Sequence, residues 1–444
     1  MELTKISRRI TTTLFTAQSI SSVGIIPVAT VLTIVATQLT GDASMAGIPS
    51  AVILLSAAIS AFLWGVLWDK IGRRKGLALG LLIAGIGLGS AAAAVQAGSF
   101  TLLLVSLVGL GFGRSAMQLG RFIAAEVNPP AHRGRAISSV VLGGTIGAIL
   151  GPILVAPSSQ FAVGIGLKKL AGPFVLASVL LIAIAFFVFV RLKPEPKEVG
   201  EKISELYPEK DVTRRIARPL SQIFRQPAVI VSFTAMAAAQ LVMVMLMGIT
   251  MLHMSQKGYP LGSISLIYMA HTLGMFAFSI MTGRLVDKWG RTPVIISGII
   301  ILLISFVLAP IEPAGILQTG LISITALLAP IGKYLTIFSA LTPELIRVAI
   351  ALYLLGLGWN FCFVGGSTLL TDQLSSVERS RTQGFNDVFI ALASSVGSLS
   401  AGIIYAGRGY AELNSIAGTI ILLPLILTIL WMLTQNKKMK QAAI

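Results

Sequence analysis

Gly65-Val66-Leu67-Trp68-Asp69-Lys70-Ile71-Gly72-Arg73 returns in the second half of the chain as Gly283-Arg284-Leu285-Val286-Asp287-Lys288-Trp289-Gly290-Arg291. Each copy closes an apolar run and opens another. The residue types suit a tight loop between two membrane helices. Gly72 and Gly290 permit the turn. Asp69 and Asp287 can pair with a base or cap a helix N-terminus. Arg73 and Arg291 can anchor to headgroups or carboxylates. Such charge clusters hold one mouth of a helical bundle shut and release it as bundles rock; the plainer alternative is a turn that only sets topology. A second echo follows. Glu126 precedes Arg133 and Arg135 by seven and nine residues, and Asp372 precedes Arg379 and Arg381 by the same steps.

Composition fixes the setting of these repeats. Of the 444 residues, 55% are hydrophobic and only 11% charged. A soluble domain carries roughly 25% charged residues, so this chain cannot keep a surface that faces water. The net charge of +17 points to topology rather than nucleic acid. Most of the Lys and Arg fall in alternate loops and at the termini: Lys5, Arg8 and Arg9, Lys70 to Lys75, Arg191 to Arg225, Arg379 and Arg381, Lys437 to Lys440. That is the positive-inside pattern, and it places both termini in the cytoplasm. The single cysteine, Cys362, excludes an intramolecular disulfide. The first apolar run is too long for a signal-peptide core and reads as a retained span.

Apolar runs predict helices near 11–38, 45–67, 76–96, 100–124, 136–156 and 171–191, then near 228–253, 261–282, 293–310, 346–370, 384–406 and 413–434. The expectation is an all-α polytopic membrane protein with twelve transmembrane helices in two pseudo-symmetric six-helix bundles. The bundles cover 1–191 and 228–436, joined by a polar linker at 192–227 and followed by a basic tail at 437–444. The stretch 311–347 holds a further apolar run. Counting it as a span would put Arg379, Arg381 and the Lys-rich tail on the side opposite the other basic loops, so it is expected as a non-cytoplasmic excursion. Two parallel six-helix repeats with binding near the midplane make a transporter architecture.

On these motifs the chain resembles the major facilitator superfamily along nearly its whole length. The loop signature stands at 65–75 and 283–291, and a Glu-x-x-Pro…Arg-Gly element at Glu126, Pro129, Arg133 and Gly134. Gly147-x-x-x-Gly151-Pro152 is similar to the superfamily's antiporter element, and equally to plain helix packing. The family's frequent fourth-helix arginine would fall near Val105, whereas this chain has Arg114 and Arg121. Arg114 is deep enough to require a cavity or a partner. The resemblance implies a major facilitator fold, an alternating-access carrier in the inner (cytoplasmic) membrane and no enzymatic activity. No nucleophile–base pair or phosphate loop argues otherwise.

The cargo is suggested by another cluster. Nine of the fourteen methionines lie between Met236 and Met281, with two of the three histidines. Met243 and Met247 sit four apart on the seventh span, as do His271 and Met275 on the eighth. Residues four apart share a helix face. Thioether and imidazole together select copper(I). Counted from the span ends, Met243 and His271 fall at similar depth, with Met247 outside them and Met275 inside. Such neutral ligands pass a soft ion without trapping it. The alternative is packing, since methionine fills irregular gaps. His253 with Met251 and Met254 could form an entry site, or be a wetted interfacial histidine.

The Met-x-x-x-Met and His-x-x-x-Met pair is similar to the signature of the CcoA-like copper importers within the superfamily. That resemblance implies uptake of copper as transported ion, with Met243, Met247, His271 and Met275 as ligands, no resident cofactor, and a cytoplasmic copper acceptor as a partner beside the lipid bilayer. Relatives of that group resemble riboflavin carriers, so a flavin-like molecule or a drug is the alternative cargo. Gln240, Trp359 and Asn360, with Arg114, are the polar side chains that would suit such a cargo. A membrane sensor that binds without net flux is a third reading, which the two intact loops oppose.

Overall fold

The computed structural model describes residues 2–207, 218–311 and 342–442. Among these residues, eleven helical segments are long and apolar enough to cross a membrane. The last, Thr382–Gln435, has 54 residues, the length of two crossings. Gly409 breaks it at φ 80°, ψ −177°, a conformation that an L side chain resists. Twelve crossings result among the described residues. The excursion expected at 311–347 lies outside the described residues up to 341, and its last residues belong to a helix that starts at Pro343.

Two compact units are present: Met1–Asp42 with Ile48–Thr213, and Ala43–Gly47 with Arg214–Ile444. The first unit holds α1 (Glu2–Thr40), α2 (Ile48–Ile71), α3 (Arg73–Ala97), α4 (Phe100–Glu126), α5 (Arg133–Gly164) and α6 (Gly172–Arg191). Within it α3 packs on α4 and α6, and α1 on α5. Gly147 and Gly151 belong to that last contact. A Cβ on Gly147 would lie 2.2 Å from Ser22 Cβ, and one on Gly151 2.8 Å from Ile26 Cβ. Small residues let helices approach where lipid supplies no hydrophobic drive. The Gly147–Gly151 element therefore serves packing.

The stretch expected as a polar linker carries a helix of its own, α7 (Pro196–Leu206). Its apolar Val199 and Ile203 are buried in the same cluster as Ile10, Leu14, Trp64 and Ile123. Burying each removes apolar surface from water, worth roughly 1.5–3 kcal/mol as an upper figure. The linker's first half is thus part of the first unit.

The second unit holds the short α8 (Leu220–Ile223), α9 (Pro227–Gln256), α10 (Leu261–Phe276), α11 (Ser279–Trp289), α12 (Arg291–Leu308), α13 (Pro343–Asp372) and α14 (Ser376–Ala442). The eighth crossing, expected as one helix over 261–282, is interrupted at Ala277–Phe278 and so consists of α10 and α11. Phe278 sits at φ −100°, ψ 4°, between helix and turn. Helix α13 is the central wall of the unit, packing on α9, α10 and α12.

Candidate functional site

The repeated loops form matching ion pairs at the linker end of each unit. Arg73 Nη1 donates to Asp69 Oδ1 at 2.8 Å, and its Nε to Glu126 Oε2 at 3.3 Å. In the second unit Arg291 Nε donates to Asp372 Oδ2 at 2.7 Å. Glu126 and Asp372 occupy equivalent places in the sequence echo, so the two bonds are one contact made twice. Gly72 (φ 89°, ψ 162°) and Gly290 (φ 88°, ψ 170°) turn the same corner. Asp287 is exposed, whereas Asp69 is bonded to Arg73. Gly65 and Gly283 have no atom within 4 Å of where a Cβ would stand. Arg133 is half-buried at the start of α5, and Arg379 lies in α14.

Three residues of these networks escaped the sequence reading. Glu195 Oε1 accepts from Arg73 N at 2.5 Å and Arg74 N at 3.2 Å. It caps the N-terminus of α3, where donors are unmatched and the helix dipole favours a carboxylate. Its position between Pro194 and Pro196 was a usable cue for a chain stop. In the second unit Glu378 is buried and accepts from Arg218 N and Nε, at 2.9 and 2.8 Å, and from Ser375 N at 3.0 Å. The Arg218 guanidinium holds the Glu378 carboxyl well below the ordinary range, against the opposing effect of burial, and the backbone donors of Ser375 and Arg218 add to it. Arg218 is raised in turn, mainly by its bond to Glu378.

The proposed cargo residues lie around α13. Ser232 Oγ donates to Gly366 O, and Trp359 Nε1 to Gln240 Oε1 at 2.7 Å, so α9 and α13 run antiparallel. Met243 and Met247 continue, at three- and four-residue steps, the α9 face that carries Met236 and Gln240. On the other side, a Cβ on Gly274 would lie 2.2 Å from Tyr353 O, and one on Gly356 2.2 Å from His271 O. These contacts mark where the two helices cross, and the His271–Leu352 and Met275–Asn360 bonds, whose numbers rise together, put α10 parallel to α13. Extending both registers brings Met247 to the level of His271 and Met243 to the level of Met275. The expected order was displaced by one turn, because it was counted from helix ends, while the backbone contacts with α13 set the depth. Helices α9 and α10 also touch directly.

Met243 is 4% exposed, His271 is fully buried, and Met247 and Met275 are half-buried. His271 Nδ1 lies 3.0 Å from Leu352 O. A carbonyl only accepts, so the ring proton is on Nδ1 and Nε2 carries a lone pair. Nε2 is buried and has no partner among the described residues. An unpaired buried nitrogen costs about 1–3 kcal/mol. No group of three or more His, Cys, Asp or Glu side chains able to hold a metal occurs among the described residues.

The side chains expected to suit an organic cargo are divided. Arg114 is exposed on α4 in the first unit. Trp359 stacks on Phe363 with ring centres 4.9 Å apart and planes at 17°, beside Gln240. Asn360 is 3% exposed, and both ends of its amide are engaged within the unit, which leaves it little to offer a cargo. His253 bonds through Nδ1 to Tyr405 OH at 3.1 Å and stacks on Tyr410, while Met251 and Met254 are buried.

Comparison with known proteins agrees with the fold. Residues 14–332 match the model of the Major Facilitator Superfamily. An uncharacterized MFS-type transporter, YdeG of Bacillus subtilis, is 33% identical over 415 residues, covering 94% of this chain and 90% of its own. The riboflavin transporter RfnT of Brucella anthropi is 26% identical, covering 89% of each chain. Among solved structures, a bacterial homolog of the human lysosomal transporter Spinster aligns with a TM-score of 0.67 at 14% identity, over 96% of both chains. The nucleoside transporter NupG aligns at 0.66 and 15%, over 95% of this chain and 98% of its own.

Proposed function

Since the chain belongs to the Major Facilitator Superfamily and is an alternating-access membrane transporter, we propose that its cargo is copper(I), taken up past Met243, Met247, His271 and Met275. One observation carries the reading: the buried Nε2 of His271, which has no partner among the described residues. Metal-binding histidines donate their other ring N–H to a carbonyl or carboxylate, which fixes the tautomer. Leu352 O plays that part here. Copper on Nε2 would relieve the unpaired nitrogen, and thioethers at the same levels supply soft ligands without adding charge. The linker end then faces the cytoplasm, by the positive-inside bias, and a cytoplasmic acceptor would take the ion.

A second reading has its own support. The stacked Trp359–Phe363 pair, with Gln240 beside it, suits a planar organic molecule, and a riboflavin transporter is among the relatives. Neither relative described above is named for copper.

Radiocopper uptake by cells expressing the chain separates the two. Met243→Ala and His271→Ala, at matched protein levels, are expected to cut uptake about tenfold or more, a loss of ~1.4 kcal/mol or more of binding. Uptake equal to empty cells, or unchanged in both variants, would overturn the copper reading. Riboflavin uptake lost in Trp359→Ala would then establish the second.

A further inference from the structure

The interruption of the eighth crossing lies where its two halves are held very differently. Helix α10 is seated backbone to backbone on α13. A Cβ on Gly274 would stand 2.2 Å from Tyr353 O and 3.0 Å from Leu357 N, and one on Gly356 would stand 2.2 Å from His271 O and 2.9 Å from Met275 N. Helix α11 buries only Thr282 and Val286. Its Ile280 is 74% exposed and Met281 44%.

One side chain joins the halves. Asn360 Nδ2 donates to Met275 O at 2.7 Å, at the end of α10, and to Ser279 Oγ at 3.0 Å, at the start of α11. Its Oδ1 accepts from Thr282 Oγ1 at 2.6 Å. A buried amide thus spans the break with one bond above and two below. Beyond α11 the chain turns at Gly290 and is caught again by the Arg291–Asp372 pair. Helix α11 is a lever held at its two ends, with Val286 packed against Val294 and Phe361 and its Ile280–Met281 side open.

We propose that Ala277–Phe278 is a hinge about which α11, with the Gly283–Arg291 loop, moves while α10 stays fixed on α13, and that Asn360 is the staple that holds it in the position seen. This rests on the chain being an alternating-access carrier and not on the identity of its cargo. It reassigns Asn360 from the cargo to the moving parts.

Hydrogen–deuterium exchange of the full chain in lipid nanodiscs tests it without any cargo. Asn360→Leu removes all three bonds at similar volume, and Thr282→Val removes one. Exchange over 277–289 is expected to quicken at least fivefold in the first variant and about twofold in the second, while 261–272 keeps its wild-type rate. Equal acceleration of both segments would make Asn360 a general brace and overturn the hinge. No change in either segment, in a variant that folds, would overturn the staple. If Asn360→Leu fails to fold, Thr282→Val decides on the same two segments.

Discussion

Glu378 is a residue whose charge state the fold controls chiefly through a single guanidinium. Its carboxyl is held below the ordinary glutamate value of about 4.5 by Arg218. A carboxyl lowered in the folded state stabilises in full above its unfolded value and loses that contribution as pH falls through the folded one. The wild type is therefore expected to lose thermal stability below about pH 4.5, and Glu378→Gln to melt lower at pH 7 but with a flatter acid limb. Melting followed by intrinsic fluorescence at pH 7, 5 and 4 checks this, and parallel acid limbs would refute it. At this scale the sequence was legible where it repeats: Gly72, Gly290, Arg73, Arg291, Glu126 and Asp372 all stood out by pattern. Glu195 did not, because its partner lies 122 residues away and nothing local marks a cap made at that distance.

The elements were legible wherever a bilayer imposes them, since some twenty apolar residues in a row have few other uses. The break in the eighth crossing was not. Ala277 and Phe278 are neither Pro nor Gly, and what spans the interruption is a tertiary bond from Asn360. The contact of α10 with α13 yields a contrast. Gly356→Ala would drive a Cβ into the His271 carbonyl, and overpacking of this kind costs about 1–3 kcal/mol. Gly283→Ala meets open space and, by steric criteria, should change stability by less than about 0.5 kcal/mol. Melting temperatures of the two variants in one detergent should separate clearly, and equal values would discredit the seating of α10.

For the molecule as a whole, the duplicated loop and the apolar runs told of a major facilitator fold. The cargo was less legible, because methionine packs as readily as it ligates. The paired networks lead to a kinetic expectation. Arg73→Ala and Arg291→Ala each remove one copy of the contact with Glu126 or Asp372. If the pairs act as gates, either variant is expected to slow saturated uptake about tenfold, with half-saturation shifted less than about twofold, since a gate residue changes the cycle and not the cargo contacts. Concentration series of radiocopper uptake would show it. Altered half-saturation at an unchanged maximal rate would place the loops in binding instead.

The cap on α3 has a consequence for how the protein is made. The donors at Arg73 and Arg74 are satisfied by a carboxylate that the ribosome supplies 122 residues after the first of them. At about 5–20 residues per second, the third crossing waits roughly 6–24 s for Glu195 to be synthesised. Through that interval the first bundle sits in the membrane with one helix end open. Its assembly therefore closes only after α6 has been inserted and the linker has begun to emerge.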